Sequence, residues 1–240
     1  MLSLKEWLVL LVIFVTNVIQ AVTGFAGTVL AMPFTIRLIG ETEAKAVLDM
    51  VALAVCVLVV IFHYKSIRIR DFLPMFLFTA IGFGIGFALE LLPHDGTVFL
   101  KIYGSLIMAL AAVFFFVDFE KVTLPDWLLY LILVGGGILH KLYVSGGPLV
   151  VIYASVRFKD KDEFRANLSL MWILLNLTMF TQYYLAGDYT ESAWILLGLG
   201  SAVSLASFFL GRFVAKKLPL KIFMKVTYVL LLISGLMIVV

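Results

Sequence analysis

Long apolar runs alternate with short charged or turn-rich stretches along the whole chain. Eight apolar blocks stand out, at about residues 7–39, 46–64, 72–92, 98–117, 126–156, 166–185, 192–214 and 221–240. The separators are compact: Lys65 through Asp71, Pro93-His94-Asp95-Gly96, and Arg157 through Arg165. A helix that crosses hydrocarbon needs roughly 20 mostly apolar residues. Six blocks fit that length, and the first and fifth are too long for one ordinary span. Each of these two contains a helix-breaking cluster, Thr23-Gly24-Phe25-Ala26-Gly27 in the first and Ser145-Gly146-Gly147-Pro148 in the fifth. Glycine frees the backbone, and proline in a first turn starts a helix without wasting a donor. The pattern therefore predicts two half-helices on either side of each break, the second of each pair beginning near Thr28 and Pro148.

A shift of 120 residues lays the chain on itself without a gap. Trp7 then meets Trp127, Gly27 meets Gly147, Arg37 meets Arg157, Glu43 meets Glu163 and Ala46 meets Ala166. Shared leucines are expected between any two membrane segments. The coincidence of the glycine breaks, the arginines and the glutamates at one shift indicates an internal duplication. Residues 1–120 form the first repeat and 121–240 the second, within one integrated membrane domain.

Composition narrows the class. Of 240 residues, 63% are apolar and 14% charged, against about 25% charged in a soluble domain. This leaves no room for a separate water-soluble domain. The first residues lack a basic head and a small-residue cleavage site, so the first apolar segment is expected to stay in the mature protein. The single cysteine, Cys56, lies in an apolar run, which excludes disulfides and thiolate metal clusters. The net charge of +3 is carried in short loops between apolar runs, a topology signal and not a nucleic-acid one.

The cations also bear on how the repeats face. If all eight blocks cross the bilayer, the repeats are parallel and Lys/Arg divides twelve to five between the two sides. If the first and fifth blocks are re-entrant hairpins, each repeat keeps three true spans and the second repeat is inverted. One side then holds Lys65, Arg68, Arg70, Lys121, Arg157, Lys159, Lys161, Arg165, Arg212, Lys216, Lys217, Lys221 and Lys225, and the other only Lys5, Arg37, Lys45 and Lys101. Cytoplasmic loops carry the Lys/Arg excess, so the sequence favours an all-α polytopic fold of two inverted repeats, each a broken hairpin plus three transmembrane helices. Eight full spans in parallel repeats is the alternative.

Non-helical backbone at membrane depth is tolerated where protein or a water-filled cavity surrounds it, and paired breaks in two repeats point to a transport site. The starts of the following half-helices offer free N–H groups and the positive ends of helix dipoles. Two such starts meeting near the midplane would bind an anion. The candidate substrate-binding residues are Gln20, Thr23, Gly24, Gly27 and Thr28 at the first break, and His140, Lys141, Tyr143, Ser145, Gly146, Gly147 and Pro148 at the second. Asn17 also lies near the first. A lysine at membrane depth usually marks function. His140 and Asp49 are the candidates for proton coupling. Plainer readings exist for each: glycines for close helix packing, Lys141 snorkelling to the interface, His140 as a structural hydrogen-bonding residue, Asp49 at the headgroups. Asn167, Asn176 and Gln182 would face a cavity or join helices. Gly82, Gly84 and Gly86 read as a helix-packing face, and Tyr183, Tyr184 and Trp194 as interface anchors or lipid-facing bulk.

The segment from Gln20 to Pro33, followed by Gly40, Ala44 and Ala46, and the segment from Gly137 to Pro148, followed by Arg165, Ala166 and Asn167, resemble the two motifs of the TauE/SafE sulfite exporter family, also called the toluene sulfonate uptake permease family. The resemblance covers the chain by length, duplication and motif position. It departs from the family's longer glycine runs at Phe25-Ala26 and at His140-Lys141. It implies a multi-pass protein of a bacterial inner membrane that carries sulfite, organosulfonates or related sulfur anions.

The expected function is thus secondary transport, probable direction export, of a small anion by alternating access. H+ or Na+ would be the coupling ion, since no ATP-binding loop is present. The bilayer is a partner, a homodimer is compatible with the sequence, and no nucleic acid, cofactor, metal or catalytic residue is expected. An assembly or accessory protein without transport is the alternative. An intramembrane enzyme would need a nucleophile–base pair or a metal cluster, for which three histidines and one cysteine give little material.

Overall fold

The computed structural model of the chain describes all residues except Met1, Gly24, 93–95, 118–121, 218–219 and Val240, and leaves out the side chains of Thr23, Arg212, Ala215, Lys216 and 220–224. Gly24 and Lys121 among the expectations above therefore lie outside the described residues, as do the side chains of Thr23, Arg212, Lys216 and Lys221. The described residues form ten α-helices, one 3-10 turn and no strand. The helices are α1 (Leu4–Thr23), α2 (Gly27–Ile39), α3 (Glu41–His63), α4 (Ile69–Glu90), α5 (Gly96–Phe116), α6 (Asp126–Tyr143), α7 (Gly147–Arg157), α8 (Lys161–Ala186), α9 (Glu191–Lys217) and α10 (Leu220–Val239).

Both long blocks break where the glycines stand. The first becomes α1 and α2, and the fifth becomes α6 and α7. At 1.5 Å per residue, α2 is about 20 Å long and α7 about 16 Å, both short of a roughly 30 Å hydrocarbon core. The chain folds back at each break, so that α2 packs on α1 and α7 on α6. Helix α1 is longer than the apolar run alone implies. Ser3 and Glu6 cap it reciprocally, the Ser3 N–H donating to Glu6 Oε2 at 2.5 Å and the Glu6 N–H to Ser3 Oγ at 3.3 Å, a capping box. At 20 residues, Leu4–Thr23 reaches about 30 Å, against about 24 Å for the apolar run 7–22. Five stretches among the described residues are long and apolar enough to span: Leu4–Val22, Glu41–Ser66, Ile69–Glu90, Gly96–Phe116 and Glu191–Gly211.

The helices recur at the shift of 120. Helix α2 starts at Gly27 and α7 at Gly147, while α3 starts at Glu41 and α8 at Lys161. The chain gathers into two compact units. One comprises Met1–Leu58 and Trp172–Thr227, the other Val59–Met171 and Tyr228–Val240. Neither coincides with a half of the chain, and each takes helices from both halves. In the first unit α1 packs on α9; in the second α6 packs on α4. Since α6 corresponds to α1 and α4 to α9, the same pairing is made twice.

Glycine spacing makes the second pairing close. A Cβ on Gly82 would overlap the Val134 carbonyl, and one on Gly137 the Thr79 carbonyl, so backbone meets backbone between α4 and α6. In the same unit Gly104 of α5 and Gly235 of α10 face each other, each Cβ position falling within 2.8 Å of the other's carbonyl oxygen. Gly82 and Gly86 are buried as expected, but Gly84 is exposed with nothing near its Cβ position. A spacing of two residues turns it away from the face that 82 and 86 share. Tyr183 is also corrected: it is buried at 4% exposure, while Tyr184 and Trp194 are exposed.

Candidate functional site

The second break is assembled wholly inside its unit. Every residue from Leu139 to Pro148 is buried. Helix α6 ends at Tyr143, and Val144 follows with φ 53° and ψ 29°, its N–H donating to the His140 carbonyl at 2.8 Å. A β-branched residue in the left-handed region is a genuine outlier, costing on the order of 1–3 kcal/mol. The surroundings hold it there. A Cβ on Gly146 would overlap the Gly136 carbonyl one α6 face away, and Val150 packs on Gly136. Helix α7 can close on α6 only because these two positions lack side chains. Ser145, fully buried, donates to the Tyr143 carbonyl at 2.7 Å. The Tyr143 ring stacks on Tyr103 at 4.3 Å between centroids. The Tyr103 hydroxyl is buried beside Ser145, without a hydrogen-bond partner of good geometry among the described residues.

Lys141 is 0% exposed and pairs with Glu90. Its ammonium also lies 5.5 Å from the centre of the Phe87 ring, within the range of a cation–π contact. Its stem runs over Gly86, where a Cβ would come within 2.8 Å of the Lys141 Cβ. The Lys141 ammonium is thus held in an ion pair at the C-terminal end of α4, and Gly86 makes room for its stem. His140 is buried, its ring 6.3 Å from that of Phe83.

The first break lies in the other unit and repeats part of this plan. Gly27 opens α2, and a Cβ there would overlap the Gln20 side chain. Gln20 and His140 occupy corresponding positions, 120 apart, and each lies against a glycine of its break. Asn17 is buried and donates to the Ile13 carbonyl at 2.8 Å. Thr28 is half-buried on α2. The residues preceding the two half-helices, Ala26 and Gly146, have no side-chain acceptor with which to cap the first N–H groups. Those groups are what a helix start offers an anion.

Asp49 is 0% exposed within α3. Its carbonyl accepts from Asn176 Nδ2 at 3.2 Å, and the neighbouring Ala46 carbonyl accepts from the Tyr189 hydroxyl at 3.3 Å. Asn167 is fully buried too. It donates to the Glu163 and Ser66 carbonyls at 2.7 and 3.3 Å and accepts from the Arg68 N–H at 3.1 Å. Asn167 and Asn176 therefore join elements. Among the described residues no group of three or more His, Cys, Asp or Glu could hold a metal.

Glu90, Phe87 and Tyr103 were absent from the sequence-derived candidates. Glu90 carried a signal, an acidic residue inside an apolar block, but its partner lies 51 positions away.

Apolar helices of spanning length, with a break in each half of the chain, define a multi-pass membrane protein. Comparison with family models adds a second line. The model described as sulfite exporter TauE/SafE matches residues 9–238. The chain belongs to the sulfite exporter TauE/SafE family, which is a family of membrane transporters and not of enzymes. Comparison with curated proteins and with solved structures gives no match.

Proposed function

We propose that the protein exports a small sulfur oxyanion, sulfite first among the candidates, across a bacterial inner membrane by alternating access. The anionic head binds at the uncapped start of α7. The observation that carries this reading is Lys141: a fully buried cation in the last turn of α6, two residues before the backbone leaves the helix. A buried ammonium is costly and in membrane proteins marks a path for ions or substrates. Family membership supports an anion as cargo. Sulfite presents three oxygens to convergent N–H donors, the geometry that a helix start recognises.

The repeats are inverted in this reading, because only that arrangement collects the strongly basic loops on one side. His140 and Asp49, both buried, are the candidates to carry a coupling proton. The test is sulfite flux in proteoliposomes containing the purified protein. Wild type should show saturable flux that an imposed pH gradient accelerates, and Lys141→Ala should reduce it at least about tenfold, the equivalent of roughly 1.4 kcal/mol. Wild-type rates from the Lys141→Ala variant would remove Lys141 from the site.

A further inference from the structure

We infer that Glu90 is the resident counter-anion of Lys141, and that the transported anion binds by displacing the Glu90 carboxylate from it. The inference rests on the proposed site and assigns it a residue that makes binding competitive.

Three observations converge. First, the two ends of the pair differ in access. The Lys141 side chain is 0% exposed and that of Glu90 30% exposed. The carboxylate is partly exposed and has room to move, and the ammonium is enclosed. Glu90 is the last residue of α4, so its side chain can leave without unwinding the helix behind it. Lys141 is pinned, its stem over Gly86 and its ammonium near Phe87.

Second, the duplication supplies an internal control. The position corresponding to Lys141 is 21, occupied by Ala21. There α1 packs on α9, and Gly211 lies against the Ala21 Cβ and the Val18 carbonyl as Gly86 lies against the Lys141 Cβ and the Ile138 carbonyl. The lysine of one unit is thus an alanine in the other. The helix pairing is therefore built without the lysine charge, and packing does not account for it. Replacing a buried ion pair by apolar residues is often neutral or stabilising, which assigns the pair a role other than stability.

Third, an ammonium left without a counter-charge in the interior is strongly disfavoured. Exchange of one anion for another keeps Lys141 neutralised throughout, which a carrier that loads and unloads requires. The same exchange selects cargo. A ligand must outcompete a carboxylate that is tethered and always present, so a compact oxyanion with concentrated charge passes where a neutral or weakly charged sulfur compound does not.

The experiment measures initial rates of sulfite flux against sulfite concentration in proteoliposomes for wild type, Glu90→Gln, and the double variant Glu90→Leu with Lys141→Ala. The double variant removes both charges together, and its folding is checked by gel filtration in detergent. Removal of the competing carboxylate should lower the half-saturating sulfite concentration of Glu90→Gln by at least about threefold, with a smaller change in maximal rate. The double variant should fold and show no saturable flux. An unchanged or raised half-saturating concentration in Glu90→Gln, beside an active wild type, overturns the displacement. So does wild-type flux from the double variant. A wild type without saturable sulfite flux overturns the transport reading beneath it instead.

Discussion

Single glycines decide how closely these helices approach, and two residues of spacing reverse their effect. Gly82 sits against the Val134 backbone, so alanine there forces α4 and α6 apart. Gly84 points to open space on an exposed face. Gly82→Ala should destabilise the protein by about 1–3 kcal/mol through overpacking. Gly84→Ala should stabilise it by up to about 1 kcal/mol, because alanine is the better helix former. Thermal unfolding of both variants in detergent checks the pair, and equal shifts would contradict the packing described. At the second break, Val144 stays in the left-handed region although glycine would adopt it more readily. Its side chain is 2% exposed, and burying a valine contributes about 1.5–3 kcal/mol, enough to offset the backbone strain.

At the scale of elements, helix ends extend past the apolar blocks because polar residues there have defined work. Asp160 precedes α8 and accepts the N–H groups of Asp162 and Glu163 at 2.9 and 3.1 Å. These hydrogen bonds, that of Glu163 first, hold its carboxyl below the usual aspartate range. The stabilisation is complete above the ordinary aspartate value and is lost as pH falls through the lowered one. Asp160→Asn keeps an amide cap but has no carboxylate to protonate, so its stability should lack this acid-side loss. Thermal unfolding followed across acid pH for both proteins measures the difference, and identical pH profiles would contradict the assignment. Nearby, Glu163 and Asp71 flank Arg68 at 3.1 and 3.0 Å. Its guanidinium is held above the usual arginine range, chiefly by the Glu163 hydrogen bond. With the Asn167 bonds, this ties α8 to the segment that connects α3 and α4.

For the whole molecule, the proposed inverted orientation makes a decision between two sides for each loop. Lys65 and Lys217 share a side if the repeats are inverted and lie on opposite sides if they are parallel. Lys5 and Lys65 behave in the converse way. Cys56 is buried, and its replacement by alanine gives a background for single cysteines at positions 5, 65 and 217. Labelling of sealed vesicles with an impermeant maleimide should mark 65 and 217 from the same side and 5 from the other. Labelling of 5 and 65 from one side would establish parallel repeats.

The broken helices, the recurrence of helix starts at a shift of 120 and the family were legible in the chain itself. Glycine and proline act through local backbone freedom, a repeat is a property of order, and apolar length is set by the thickness of hydrocarbon. The face that each helix turns inward was not legible. Lipid and protein interior are both apolar, so a membrane helix carries little of the polar stripe that marks the outside of a soluble one. Hence Gly84 and Tyr183 were placed on the wrong faces, and Lys141 was recognised as costly without its partner. Only the tertiary structure, by packing α6 on α4, brought Glu90 to Lys141, and by packing α1 on α9 it set Gly211 against Ala21.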